Sequence, residues 1–283
     1  MKGNEEHMQR LNLLGIDTST AAMTAALLTA EGTLASIRSD AERNHSIKLV
    51  PAVDELLNAH GWTEATLDGI AVGIGPGSYT GVRIAVTAAK TMAWAWDKPI
   101  IGVSSVEALA WSGLAAAMDK HADVLTDAGE YLIHPMMDAR RGQVYTARFC
   151  GRGAAAKSLQ VWNGTELPAD VCVRMQADGI RLFVDVAAEL EEQLDEKPAL
   201  HVWLVGETRQ QQERLDALQA KYGERVHVVP CEMDAEWIAK LGSAGIVKGQ
   251  ADDVHRIEPN YTQLAEAEVK LNAKEQAAAK SKL

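Results

Sequence analysis

The loop at residues 75–81, GPGSYTG, has the composition of a ligand-binding turn. Its spacing, G-x-G-x-x-x-G, is one residue longer than the dinucleotide-binding fingerprint, and it lacks the Lys-Ser/Thr pair of a P-loop. Backbone N–H groups in a glycine loop before a helix can still face an anion, so Gly75 and Gly77 are candidate nucleotide-binding residues. The alternative is a loop that only turns a strand tightly into a helix.

A second candidate for nucleotide binding is the acidic and hydroxyl-rich segment Asp17-Thr18-Ser19, which follows a short apolar run. An acid and hydroxyls at a turn between two strands can hold a phosphate group and its metal ion. The segment has no glycine that would let the backbone approach a phosphate closely. A turn whose hydroxyls satisfy its own backbone is therefore an equal alternative.

Motifs for nucleophilic and metal-dependent catalysis are missing from the sequence. Ser78 lies in G-S-Y-T-G, which differs from the G-x-S-x-G nucleophile elbow, and the eight histidines form no H-x-x-x-H pair. We therefore expect no catalytic residue and no metal site, and we exclude a peptidase. The three cysteines lack C-x-x-C spacing, which is typical of a reducing compartment.

Length and charge limit the classes of function. The chain has 283 residues, 47% of them apolar, and a formal net charge of −11. This length predicts two domains or two lobes, and the acidic balance argues against a chain that binds nucleic acid by itself. The start of the sequence lacks the pattern of a signal peptide, and no apolar run is long enough to span a membrane. We expect a cytoplasmic protein, with any RNA held by a partner and no membrane contact.

Hydrophobic periodicity predicts an α/β fold in which these segments lie at the ends of strands. The first half is predicted to contain strands at 11–17, 21–29, 33–40, 67–74 and 99–103, and helices at 44–58 and 82–96. The second half is predicted to contain strands at 132–138, 143–149, 201–206 and 225–229, and helices at 208–221 and 234–248. The predicted domains are a flexible segment 1–10, an N-terminal lobe 11–118, a linker or insertion 119–130, a C-terminal lobe 131–264, and a frayed or disordered tail 265–283.

Four parts of the sequence together resemble the TsaB family of tRNA threonylcarbamoyladenosine biosynthesis proteins. These parts are residues 14–20, His45-Ser46 with the following Leu49 and Pro51, residues 69–110, and residues 137–149. The resemblance implies the actin-like ATPase fold of sugar kinases and heat-shock ATPases, with two lobes that each contain a mixed β-sheet flanked by helices. It also implies a paralogue of TsaD, which transfers threonylcarbamoyl to the adenosine beside the anticodon of ANN-reading tRNAs.

The resemblance further implies that this chain is a non-catalytic subunit. A metal-binding H-x-x-x-H of TsaD corresponds here to Ser105 and Leu109, so the two imidazole ligands are missing. We expect a scaffold that pairs with TsaD, recruits TsaE, and forms a homodimer in isolation. The alternative is an actin-like small-molecule kinase or ATPase, for which the second lobe offers Gly206-Glu207-Thr208 but no recognisable adenosine motif.

The helices at 44–58 and 82–96 are the partner-binding elements that the resemblance implies. Their candidate interface residues are His45, Leu49, Val53, Arg83, Val86 and Lys90. We expect this chain alone to require no cofactor. The alternative is that ATP or ADP with Mg²⁺ binds at the partner interface.

Overall fold

The computed structural model describes residues 11–39, 45–161 and 168–262, which contain two five-stranded sheets. The first sheet and its flanking helices comprise β1 (Leu13–Asp17), β2 (Met23–Thr29), β3 (Gly32–Ser39), α1 (His45–Ala59), β4 (Gly69–Gly73), α2 (Tyr79–Ala95) and β5 (Ile100–Val103). The strand order is β3-β2-β1-β4-β5. The first three strands form an antiparallel meander, and β4 and β5 run parallel to β1. The strands and helices of this sheet lie within a few residues of the ranges predicted from the sequence.

The second half of the chain repeats this topology. After α3 (Ser105–Asp127) it comprises β6 (Glu130–Asp138), β7 (Gln143–Arg152), α4 (Gly153–Ala156), β8 (Val173–Leu182), α5 (Phe183–Glu196), β9 (His201–Gly206), α6 (Gln212–Tyr222), β10 (Val226–Pro230) and α7 (Ala235–Val247). The strand order is β8-β7-β6-β9-β10, again with a meander followed by two parallel strands. Both lobes therefore have the same topology, as the predicted actin-like architecture requires.

Helices α3 and α7 lie between the two sheets and cross from one lobe to the other. Although α7 is the last helix in the described part of the chain, it packs on β1, β2 and β4 of the first sheet, and α3 packs on β6, β7 and β9 of the second. Trp111 of α3 stacks on Trp237 of α7, with ring centroids 5.7 Å apart. A single buried cluster therefore joins the lobes.

Each sheet has a separate cluster on its outer face. Helices α1 and α2 cover the first sheet with the apolar sides of their amphipathic sequences, and α5 and α6 cover the second. The outer surfaces of α1 and α2 therefore remain available on one side of the molecule.

One prediction about the chain's organisation differs from the structure, and two elements were not predicted. Residues 119–127, expected in a linker or insertion, are the last turns of α3, with a kink at His121. Their polar composition reflects an exposed helix end rather than a break in the fold. The sequence analysis also missed β8, an edge strand with no buried residue and no clear apolar alternation, and α5, which follows it directly. The predicted helix start at Asn44 and the terminal segments 1–10 and 265–283 lie outside the described residues.

No helix in the described ranges is long and apolar enough to cross a membrane.

Candidate functional site

The two predicted nucleotide-binding segments meet at the carboxyl ends of β1 and β4. The Thr18 hydroxyl donates to the Gly81 carbonyl oxygen over 2.6 Å, and the Ser78 N–H donates to the Ser19 carbonyl oxygen over 2.7 Å. A Cβ atom at Gly77 would collide with Ser19. The glycines thus allow close contact between two protein segments.

The Asp17 carboxylate is buried at the centre of this contact. Its Oδ1 accepts from the Ser19 N–H over 2.7 Å and from the Ser19 hydroxyl over 2.6 Å. Its Oδ2 accepts from the Ser105 hydroxyl over 2.6 Å, and that hydroxyl in turn accepts from the Gly75 N–H over 3.0 Å. A Cβ atom at Gly73 would collide with this carboxylate, so a side chain there is excluded. Through Ser105, this hydrogen-bond network links the start of α3 to the carboxyl ends of β1 and β4.

Several of the groups that could bind a nucleotide phosphate are already bonded within the protein. The N–H groups of Gly75, Ser78 and Ser19 and the hydroxyl groups beside them are bonded to protein atoms. A phosphate would have to displace these bonds and would face the buried Asp17 carboxylate. The predicted residues lie together, but the hydrogen bonds that they make favour the alternative, in which the polar groups of these turns bond to other protein groups.

Ser105 does not cap α3, although it is the first residue of that helix. The cap of α3 is Ser104, whose hydroxyl accepts from the Glu107 N–H over 3.1 Å. Ser105 instead lies in the buried network, and Leu109, at the second position of the missing histidine pair, is buried beside Gly206. No three His, Cys, Asp or Glu side chains in the described part of the chain converge as metal ligands.

Replacement of Ser105 by alanine is expected to lower the free energy of unfolding by about 2–3 kcal/mol, because the Gly75 N–H and Asp17 Oδ2 both lose this bond. The matched control is Ser104→Ala, which removes an adjacent hydroxyl and is expected to cost about 1 kcal/mol. Urea unfolding of both variants measures the difference. Equal losses in the two variants would contradict a structural role for the buried network.

A cleft of about 390 Å³ lies between the lobes next to this network. Its lining residues are Thr20, Ala21, Ala22, Leu109, Glu207, Cys231, Glu232 and Met233. Burial raises the pKa of Glu207, whose Oε2 accepts from the Asp138 N–H over 2.7 Å. Burial also raises the pKa of the Cys231 thiol to about 12, which makes it a poor nucleophile at neutral pH. Among the described residues, the cleft lining has two acidic side chains and no Lys or Arg, a poor match for an anionic ligand.

The outer face of α1 and α2 contains a groove of about 400 Å³. It is lined by Ser46, Leu49, Val50, Thr80, Arg83, Ile84, Thr87 and Ala88. Val50 is half exposed beside the groove, and Trp94 is 67% exposed further along α2. Arg83 and Trp94 are eleven residues apart, just over three complete turns, and so lie on the same side of the helix. Exposed apolar groups next to a concave surface are typical of a protein-binding face.

Three of the predicted interface residues are instead core residues. Leu49, Val53 and Val86 are each at most 3% exposed and belong to the cluster between α1, α2 and the first sheet. The physical reason is that an apolar stripe with helical periodicity marks the side of a helix that faces its own core. An aspartate at Leu49 or Val53 would therefore destabilise the lobe, and its loss of pairing would not identify an interface.

The other three predicted interface residues lie in different environments. Arg83 is exposed on the α1–α2 face. Lys90 is engaged within the chain, since its ammonium group donates to the carbonyl oxygens of His255 over 3.2 Å and Ile257 over 3.0 Å. His255 and Ile257 belong to residues 250–262, the strap, which runs back over the first lobe. His45 begins α1, and its side chain is outside the described part.

Sequence reasoning missed Val50, Trp94 and Tyr261 as residues of this face. The available signal was a large apolar or aromatic side chain off the core stripe: Val50 directly follows the core residue Leu49, and Trp94 continues the exposed side of α2. No local pattern could show that Tyr261, far along the chain, lies beside Tyr79, with ring centroids 5.4 Å apart.

Comparisons with known proteins relate the whole chain to one group. The tRNA threonylcarbamoyladenosine biosynthesis protein TsaB of Bacillus subtilis (strain 168) is 34% identical over 260 residues, which cover 92% of this chain and 97% of that protein. The protein of the same name from Haemophilus influenzae is 37% identical over 138 residues, 49% of this chain and 53% of that protein. The sequence model of TsaD, tRNA N6-adenosine threonylcarbamoyltransferase, matches residues 37–156. The solved structure of YeaZ from Pseudomonas aeruginosa shares the fold, with a TM-score of 0.62, 24% identity, and coverage of 89% of this chain and 99% of that one.

Proposed function

Since this chain belongs to the TsaB family of tRNA threonylcarbamoyladenosine biosynthesis proteins, we propose that it is the non-catalytic scaffold of a threonylcarbamoyl transferase complex. In this proposal it pairs with a TsaD-type transferase, recruits TsaE, and holds tRNA only through the complex. It forms a homodimer when the transferase is absent. The complex acts in the cytoplasm on the adenosine beside the anticodon of ANN-reading tRNAs.

The observation that carries the proposal is the α1–α2 face. Val50, Arg83 and Trp94 are exposed around a groove, on two helices whose inner sides pack firmly on the first sheet. A preformed, partly apolar surface of this kind fits a stable protein partner.

The closed network at Asp17 supports the non-catalytic part of the proposal. The N–H groups of Gly75, Ser78 and Ser19 donate to protein atoms, and the resemblance implies that Ser105 and Leu109 correspond to the metal-binding histidine pair of TsaD. The hydrocarbon side chain of Leu109 has no atom that could bind a metal ion. A scaffold role requires neither a phosphate site nor a metal, whereas the alternative kinase or ATPase requires the first.

The test is threonylcarbamoyl transfer to tRNA by TsaD and TsaE, supplied with threonylcarbamoyl-adenylate and ATP, with and without this protein. Transfer only when the protein is present, together with no transfer by the protein alone, is the expected result. Unchanged transfer would overturn the proposal. ATP turnover by the isolated chain would favour the kinase or ATPase alternative, and Asp17→Asn is the variant that would then be examined.

A further inference from the structure

The strap ends beside one end of the α1–α2 groove. The ring of Tyr261 lies 5.4 Å from that of Tyr79, the first residue of α2. Arg83, about one turn further along α2, has its guanidinium carbon 5.9 Å from the centre of the Tyr261 ring. The Asn260 N–H holds the strap in this position by donating to the Ile74 carbonyl oxygen over 2.7 Å. The residues that follow the strap, 263–283, therefore begin beside the groove that Arg83 lines.

The last described residue of the strap has a polar group without a partner. The hydroxyl oxygen of Thr262 is buried, and it has no hydrogen-bond partner in the described part of the chain. A buried hydroxyl without a partner costs free energy, so a polar group close to it is favoured in the folded protein. The residues that follow Thr262 are the nearest source of such a group along the chain, which favours a segment that stays against the protein surface.

The groove and the following residues, 263–283, match in length. Helices α1 and α2 each run from the carboxyl end of one strand back to the start of a strand with the same direction. They therefore point the same way, and the groove between them extends along α2 from Thr80 to Ala88. This stretch of α2 is about 12 Å long, and Trp94 lies about 9 Å beyond it. Residues 263–283, the distal segment, would span about 30 Å even as a helix, enough to cover the groove and reach Trp94.

The charges of the distal segment follow the order of the charges on the α1–α2 face. Among the described residues that line the groove, the single charged side chain is Arg83, and Asp54 is exposed one turn beyond the groove residues of α1. The distal segment has Glu266 and Glu268 first and Lys270 after them. An acid followed by a base would thus lie opposite a base followed by an acid, with attraction at both points.

We propose that the distal segment docks in the α1–α2 groove of its own chain, with Leu264 against the apolar lining and the Glu266 and Glu268 carboxylates near Arg83. A TsaD-type partner must then displace it; this second part rests on the proposed function, whereas the docking does not. Because the distal segment is joined to the strap, its local concentration at the groove is on the order of millimolar. Weak contacts therefore suffice to cover the groove in the absence of a partner.

The experiment measures cleavage after Lys270 by a lysine-specific protease in the full chain, relative to cleavage of a synthetic peptide of residues 263–283. The ratio of the two rates, the protection, reports how rarely the distal segment leaves the groove. We expect the full chain to be cleaved at least tenfold more slowly than the peptide. Each variant within the distal segment is compared with a peptide that has the same substitution.

Substitutions on both sides of the contact are expected to change this protection. Arg83→Glu is expected to lower it about fivefold, because attraction of the two carboxylates becomes repulsion. Leu264→Asp is expected to lower it by a similar factor, since a charge would face the apolar lining. Glu266→Arg and Glu268→Arg, added together to Arg83→Glu, are expected to restore the protection because the charges are exchanged.

The matched control is Arg209→Glu, which makes the same change of charge at an exposed arginine of the second lobe and is expected to leave the protection unchanged. Equal cleavage of the full chain and the peptide would overturn the docking. Undiminished protection in Arg83→Glu would also overturn it. Protection that falls when the protein is diluted would assign the contact to a second copy, against docking within one chain.

Addition of a TsaD-type subunit tests the displacement. A saturating amount is expected to abolish the protection of Lys270, and Leu264→Asp is expected to lower the Kd of the subunit about threefold because a competitor is weakened. A complex in which Lys270 stays protected and Leu264→Asp leaves the Kd unchanged would overturn the displacement. If no TsaD-type subunit binds although the isolated chain shows the protection, the proposed function fails and the docking stands.

Discussion

Replacement of Trp94 by alanine is expected to raise the Kd for a TsaD-type partner by about 30-fold or more. Large aromatic side chains at the centre of an interface commonly contribute 2 kcal/mol or more, and 1.4 kcal/mol corresponds to a tenfold change. Trp94 is the largest exposed apolar side chain on the α1–α2 face, at 67% exposure. Since it makes few contacts within the chain, the variant is expected to keep its fold and unfolding midpoint. Titration calorimetry with the purified partner measures the change.

A control for Trp94 is available in the second lobe. Met175 on β8 is 62% exposed and equally apolar, but it lies away from the α1–α2 face. Met175→Ala is expected to leave the partner's Kd and the rate of threonylcarbamoyl transfer unchanged. Weakening by Met175→Ala with normal binding by Trp94→Ala would move the interface to the edge strand of the second sheet. Transfer activity should fall with pairing in the Trp94 variant.

Sequence reasoning predicted the architecture well because strand and helix signals are local. The run at Leu13–Asp17, the loop before α2 and the hairpin of β6 and β7 all have strong patterns over a few residues. The position of α7 on the first sheet could not be predicted in this way, because its contacts with β1 join residues far apart in the chain.

The functional residues were predicted less completely for a related reason. Helical periodicity separates core from surface without showing which surface binds a partner, so it selected Leu49, Val53 and Val86 from the inner side. The structure brings the segments at Asp17 and Gly75 together, and their spacing could not show that the donors would be used within the protein. Lys90 has the composition of a contact residue, and only the path of the strap shows its role.

His134 was not singled out by its sequence, although the structure predicts that it makes stability depend on pH. It lies on β6, is 1% exposed, and neither ring nitrogen has a hydrogen-bond partner among the described residues. Burial, and secondarily the positive charges of Arg148 and Arg181, lower its pKa from 6.5 to about 3. The folded protein therefore keeps this imidazole neutral where the unfolded chain protonates it.

The direction of the pH dependence follows from these two states. Above about pH 6.5 both states hold a neutral His134, and the contribution to stability is fully present; below it the unfolded state binds an additional proton and gains free energy. The loss approaches 1.4 kcal/mol per pH unit, or roughly 2–3 kcal/mol at about pH 4.5. His227, whose pKa is lowered to about 4 by burial and by the nearby His201 and His121, adds to the loss in the same direction.

His134→Leu is expected to flatten the dependence of unfolding free energy on pH by about one proton between pH 6.5 and 4, because leucine is buried there without a group to protonate. Urea unfolding at a series of pH values measures the slope. The control is His60→Leu, at an exposed histidine after α1, which is expected to leave the slope unchanged. An unaltered slope in His134→Leu would assign the acid sensitivity to other groups, of which His227 is the next to replace. A flatter slope would identify a buried imidazole on the second sheet as a main cause of acid unfolding, independently of the α1–α2 face.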